Sequence, residues 1–124
     1  MSERPNVLVV DDDRDILALL EFRLRRDGYD VLIARDGDEA LALAVEHRPA
    51  AAVLDVAMPG LDGLALAREI RAELTDTRLL FLTARARRED IEAGLAAGAD
   101  DYITKPFSPA MLAWRLAELL AVPV

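Results

Sequence analysis

The chain has 124 residues, 53% of them hydrophobic, a formal charge of −8 and no cysteine. That length suits one domain with a real core, and no apolar stretch approaches the ~20 residues that would span a bilayer as a helix. Disulfide and thiolate chemistry are excluded, and the acidic balance argues against direct nucleic-acid or membrane-surface binding.

Short apolar runs alternate with longer stretches of helical period, the pattern of repeated βα units around a parallel sheet. Val7 to Val10 predicts a strand over 6–11, followed by a helix over 13–27 with Gly28 placed for a left-handed close. A strand over 30–34 leads into a helix over 37–47, where Asp36 and Glu39 are spaced as a capping box and Pro49 acts as a stop. Ala51 to Leu54 predicts a strand over 51–55, with a helix over 62–74. Leu79 to Leu82 predicts a strand over 79–83 and a helix over 87–97, ended by Gly98. The last unit is a strand over 101–104 and a helix over 108–121, with Ser108 as N-cap and Pro109 at the first helical position. The expected fold is α/β, a three-layer (βα)5 doubly wound sandwich with a five-stranded parallel sheet.

Four of the apolar runs end in polar residues: Asp11-Asp12-Asp13, Asp55, Thr83 and Lys105. Carboxyl ends of parallel strands lie along one sheet edge, where open α/β sheets bind ligands. Lys105 is the sole lysine among fifteen basic residues, which marks it as placed for a task. Like charges ~4 Å apart cost on the order of 4 kcal/mol per pair at an effective dielectric of ~20, so the acids need raised pKa values or a divalent cation. Mg2+ fits, because it takes oxygen ligands and is commonly held by one or two carboxylates plus phosphate oxygens. The sole histidine, His47, sits in the last turn of the second helix and reads as a solvated side chain. A carboxylate beside Mg2+ can be a nucleophile that forms an aspartyl phosphate, with a hydroxyl such as Thr83 and an ammonium such as Lys105 around the phosphoryl oxygens. The plainer reading, in which Asp11 to Asp13 cap a helix and Lys105 is a surface charge, accounts for each residue singly but not for their convergence on one edge.

These residues lie in motifs that resemble the receiver domain of two-component response regulators. The resemblance is carried by Val9-Val10-Asp11-Asp12-Asp13, Leu54-Asp55-Val56-Ala57-Met58-Pro59-Gly60-Leu61-Asp62-Gly63, Leu82-Thr83-Ala84 and Gly98-Ala99-Asp100-Asp101-Tyr102-Ile103-Thr104-Lys105-Pro106-Phe107, in that order and over nearly the whole length. It implies a flavodoxin-like strand order, 2-1-3-4-5. It also implies Asp55 as phosphoacceptor, Asp12 and Asp55 as direct Mg2+ ligands, Asp11 acting mostly through water, and Ala57 contributing its backbone carbonyl. Thr83 and Lys105 would hold phosphoryl oxygens, Tyr102 would be an aromatic switch following Thr83, and Lys105-Pro106 would be cis. Ala57 and Arg85 occupy positions that tune phosphoryl lifetime in the family; alanine cannot orient a hydrolytic water, whereas Arg85 could lean over the phosphate. A histidine kinase, or a small acyl phosphate, is the implied phosphodonor, with residues 1–124 forming one cytoplasmic receiver domain and no effector domain. In this reading the domain catalyses only its own modification and is no enzyme with a turnover substrate. Arginine-rich, lysine-poor usage fits a GC-rich bacterial genome.

The responsive surface implied by the resemblance is the fourth helix, fifth strand and fifth helix, about residues 87–121. At ~100° per residue, Leu112, Leu116, Leu119 and Leu120 share the core side of the last helix, while Met111, Trp114 and Val122 fall nearly opposite. An outward tryptophan and methionine suggest a docking surface for a second receiver or an effector. Asp100, Asp101 and Arg115 sit where receivers of winged-helix transcription factors carry a dimerising charge network. The apolar pair Ala110-Met111 replaces an acidic residue common there, so at least one inter-subunit ion pair is absent. A phosphorylation-strengthened homodimer through this face is the expectation. The rival class is a haloacid dehalogenase-type phosphohydrolase, with Asp11-x-Asp13, Thr83, Lys105 and Asp100-Asp101 as its set. Against it, Asp15 stands where Thr or Val is wanted, the Asp-Asp pair precedes the lysine, and the Asp55 to Gly63 motif goes unexplained.

Overall fold

Strand segments that are apolar on both sides need cover on both faces, and this requirement organises the chain. The computed structural model describes residues 4–56, 63–84 and 87–121. In chain order it forms β1 (Asn6–Val10), α1 (Arg14–Arg26), β2 (Asp30–Ala34), α2 (Gly37–His47), β3 (Ala51–Asp55), α3 (Gly63–Glu73), β4 (Arg78–Thr83), α4 (Arg88–Ala96), β5 (Asp101–Thr104) and α5 (Pro109–Ala121). All strand pairs are parallel, as the βα pattern predicts, and their order is β2-β1-β3-β4-β5, as the resemblance implies. The strand order reverses between β1 and β3, which opens a crevice at their carboxyl ends.

Alternate strand residues feed two cores. Leu8, Val10, Ala52, Leu54, Leu79 and Phe81 face Ala40 and Ala44 of α2 and Leu66, Ala67 and Ile70 of α3. Val7, Val9, Ala51, Val53, Leu80, Leu82 and Ile103 face Leu17, Leu20 and Leu24 of α1 and Leu112, Ala113 and Leu116 of α5. Each such leucine, fully covered, contributes roughly 1.5–3 kcal/mol relative to exposure. Leu119 and Leu120, in the last turn of α5, are only half-buried and pack at the margin of this second core.

The punctuation follows the sequence. Gly28 and Gly98 take φ of +101° and +113°, and at each a pair of amide-to-carbonyl bonds closes the preceding helix, Gly28 to Arg25 with Tyr29 to Leu24, and Gly98 to Leu95 with Ala99 to Gly94. The Asp36 carboxylate accepts the Glu39 amide at 2.8 Å, and the Ser108 hydroxyl accepts the Met111 amide at 3.3 Å. Boundaries shift by about one residue at several ends, among them β1, which ends at Val10 where the Asp11 carboxylate accepts the Asp13 amide. Another feature has no sequence signal. Arg48, just ahead of Pro49, ends α2 in the left-handed region at φ 47°. Among the described residues no helix is long and apolar enough to cross a membrane.

Candidate functional site

Three adjacent strands deliver the polar residues to one edge. Asp11 follows β1 and is fully buried; Asp55 closes β3 at 4% exposure; Thr83 closes β4 at 6%. Asp12, the next residue after Asp11, is exposed. Lys105 follows β5, with its amide donating to the Thr83 carbonyl at 2.7 Å, and the Lys105-Pro106 peptide is cis, as expected. The Lys105 ammonium then reaches across β4, placing Nζ 2.8 Å from Asp55 Oδ2 and 3.5 Å from Asp11 Oδ2.

The electrostatics follow from burial. Asp11 is pushed up to about 6, chiefly because its charge loses water, and further by the Asp55 charge; the Asp13 amide and Lys105 oppose this. Burial works against the Lys105 charge, but its hydrogen bond to Asp55 and the charges of both carboxylates outweigh that cost and raise its pKa. Asp11, Asp12 and Asp55 each offer a carboxylate oxygen, all within 4.8 Å of one another. Three carboxylates so close, one with a raised pKa, form an oxygen-only donor set suited to a hard divalent cation such as Mg2+. The chain has no cysteine, and His47 stands in the last turn of α2.

The three consecutive acids have three different tasks. Asp13 is the N-cap of α1, accepting the amides of Asp15 at 2.9 Å and Ile16 at 3.3 Å. It is thus a helix cap and not part of the acid cluster, which also removes it as the partner acid that the phosphohydrolase reading required.

Tyr102 is half-buried on β5 and lines, with Thr83, Phe81, Ile91 and Leu95, a mostly apolar cavity of about 80 Å3 beneath α4. Met111 and Trp114 point outward at 53% and 61% exposure. Asp101 and Arg115 pair with each other within the chain, Arg115 Nη1 standing 2.9 and 2.7 Å from the two carboxylate oxygens. Asp100, expected to face a partner, is exposed and has its carboxylate on Arg71 at 3.0 Å and on the Leu79 amide at 2.8 Å. Arg71 has no sequence signal for its contact with Gly98 and Asp100, which lie 27 and 29 residues away. Ala57, Arg85 and Val122 lie outside the described residues.

Comparison with known proteins agrees with this geometry. A family model described as the response regulator receiver domain matches residues 7–117. The transcriptional regulatory protein PrrA of Mycobacterium tuberculosis is 52% identical over 116 residues, covering 94% of this chain and 50% of that protein. The alkaline phosphatase synthesis transcriptional regulatory protein PhoP of Bacillus subtilis is 45% identical over 114 residues, covering 92% and 48%. The chain thus spans about half the length of the curated relatives it matches. Among solved structures, the chemotaxis protein CheY4 of Vibrio cholerae superposes with a TM-score of 0.88 at 34% identity, covering 94% of this chain and 98% of that one.

Proposed function

Because the chain belongs to the response regulator receiver domain family of two-component systems, we propose that it is a phosphorylation-dependent switch whose acceptor is Asp55. The observation that carries this reading is the buried Asp55 carboxylate, with the lone lysine of the chain 2.8 Å from it and Asp11 beside it. A carboxylate oxygen of Asp55 attacks the phosphorus of a kinase phosphohistidine or a small acyl phosphate, forming a P–O bond as the bond to the donor breaks. Lys105, already on Asp55, offsets the charge that accumulates on the phosphoryl oxygens, and the Thr83 hydroxyl donates to one of them. Asp12 and Asp55 would hold Mg2+ directly, with the Ala57 carbonyl and with Asp11 acting mostly through water, and the ion would supply positive charge that offsets the carboxylates and an anionic donor.

Signal transfer requires that the phosphorylated state make different contacts from the resting one. Movement of Thr83 toward the phosphoryl group vacates space beside Tyr102, whose ring already borders the cavity under α4. The face formed by α4, β5 and α5, with Asp100, Asp101, Met111, Trp114 and Arg115, is the output surface. Phosphorylation strengthens a homodimer there, and sedimentation showing an unchanged monomer with and without a phosphoryl analogue contradicts this part. Ala57 and Arg85 set how long the phosphoryl group survives. A sensor histidine kinase is the donor, the compartment is the cytoplasm, and the names of the curated relatives support an output in transcriptional control exerted without direct DNA contact by this acidic domain.

Intact mass after incubation with acetyl phosphate tests the reading. One added phosphoryl group that requires Mg2+ and is lost in Asp55→Asn supports it; no addition, or addition retained in the variant, overturns it.

A further inference from the structure

At the sheet edge opposite the acids, Arg71 in the last turn of α3 forms a dense polar junction. Its Nη1 donates to the carbonyls of Leu74, Thr75 and Thr77 at 3.5, 2.9 and 2.6 Å. Its Nη2 donates to the Gly98 carbonyl at 2.9 Å and to Asp100 Oδ2 at 3.0 Å. The same Asp100 oxygen accepts the Leu79 amide at 2.8 Å, and the Asp100 amide donates to the Leu79 carbonyl at 2.8 Å. Arg78 stands 3.8 Å from the other carboxylate oxygen. One guanidinium therefore joins the end of α3, the start of β4 and the turn that closes α4. The close approach is built in, since a Cβ at Gly98 would stand 3.3 Å from Arg71 Nε.

Among the described residues, no such junction holds the other end of α4. Its N-cap, Arg87, makes no side-chain capping bond, and Gly94 is the one residue of α4 that is buried. Beneath the helix lies the cavity bordered by Thr83, Ile91, Leu95 and Tyr102. The cavity runs under α4 from Asp90 to Leu95 and reaches Thr83 and Tyr102, so the helix packs on apolar space that extends from the Arg71 junction toward the site.

We propose that Arg71 is the positioning residue of the switch: with Asp100 it clamps the end of α4, so that changes at Thr83 and Tyr102 turn the helix about Gly98 instead of loosening it throughout. This rests on the reading of Asp55 as phosphoacceptor and adds the fixed point that gives the movement a direction. The guanidinium fork serves a carbonyl and a carboxylate together, which an ammonium on a flexible stem does not reproduce. Tyr102 lies two residues beyond Asp100, so the clamp also sets where β5 begins.

Amide hydrogen exchange on the full chain, with acetyl phosphate and Mg2+ and with the labelled fraction read by intact mass, tests the clamp in wild type, Arg71→Gln, Arg71→Lys and Asp100→Asn. In labelled wild type, the exchange change is expected within residues 88–94 and at Tyr102. Arg71→Gln is expected to label to the same extent, to exchange the Gly98, Ala99 and Asp100 amides about tenfold faster, and to spread the phosphorylation-linked change through residues 95–100. Arg71→Lys is not expected to restore the wild-type distribution. A purely structural Arg71 would speed exchange equally in both states without moving the phosphorylation-linked difference, and that result overturns the proposal. Should Arg71→Gln not fold, Arg71→Lys carries the test, because it keeps the charge but loses the fork that serves the Gly98 carbonyl and Asp100 together; an unchanged distribution there overturns the clamp, whereas Asp100→Asn keeps the oxygen that both Leu79 and Arg71 use and serves as the control. Failure of wild type to label instead removes the phosphoacceptor reading beneath it.

Discussion

Replacing Asp11 by asparagine is expected to stabilise the protein without Mg2+ above pH 6, although Asp11 lies at the centre of the site. The carboxyl is fully buried, and its pKa moves from 3.8 to about 6. A rise of that size means that the folded environment disfavours the charged form by roughly 3 kcal/mol relative to the unfolded chain. Because the folded pKa is the higher one, the native state holds the proton longer, and this contribution to stability is lost as pH rises from about 4 to about 6. Asparagine keeps an oxygen for the Asp13 amide, and its amide can donate to Asp55, as a protonated Asp11 would. The variant should therefore match wild type below pH 4 and exceed it by about 1–3 kcal/mol above pH 6. At roughly 3–6 °C per kcal/mol for a domain of this size, the difference is readable in a melt. With Mg2+ at about a hundred times its dissociation constant, wild type should gain about 2.7 kcal/mol and the variant much less. Urea denaturation across pH 3.5–8, with and without Mg2+, is the assay. A variant less stable than wild type at pH 7.5 without cation would refute the assignment of Asp11 as a buried charge held at a cost.

The acids flanking Asp11 should separate cleanly. Asp13→Ala is expected to cost about 1 kcal/mol through loss of the α1 cap while leaving Mg2+ affinity intact, whereas Asp12→Ala should weaken Mg2+ binding with little change in the melt; calorimetric titration on both variants checks the pair. Gly63→Ala places a Cβ 2.6 Å from the Val56 Cα, so it should cost about 1–3 kcal/mol by overpacking and slow labelling of the neighbouring Asp55; a loss within 0.5 kcal/mol, about the size of an ordinary surface change, contradicts that packing. Lys105→Ala should retain some labelling of Asp55 but lose the linked change at Tyr102, read by amide exchange, and full transmission in the variant contradicts the coupling role of the lysine.

Most of the fold was legible because its determinants are local. Three strands buried on both faces, β1, β3 and β4, read as apolar runs, and α1 carries Leu17, Leu20 and Leu24 at helical spacing. The site was legible for the same reason: parallel strands end at one edge, so Asp11, Asp55, Thr83 and Lys105 converge whatever the details of the loops. What stayed hidden depends on side-chain direction. Nothing in a run of three aspartates states that the first turns inward, the second stays exposed and the third caps a helix. Asp100 and Asp101 are equally alike in sequence, yet strand alternation and the turn before β5 send one to Arg71 and the other to Arg115. Phe22, on α1, is 69% exposed, which helical spacing alone did not mark.

The central claim is that Asp55 is the nucleophile, and the most direct measurement is to find the modified residue. After reaction with acetyl phosphate and Mg2+, borohydride reduction converts an aspartyl phosphate to homoserine, and peptide mass spectrometry locates it. Homoserine at position 55 and not at position 11, absent when Mg2+ is withheld, is the expected result. Homoserine at position 11, or an unmodified Asp55 in protein that carries phosphate, contradicts the account.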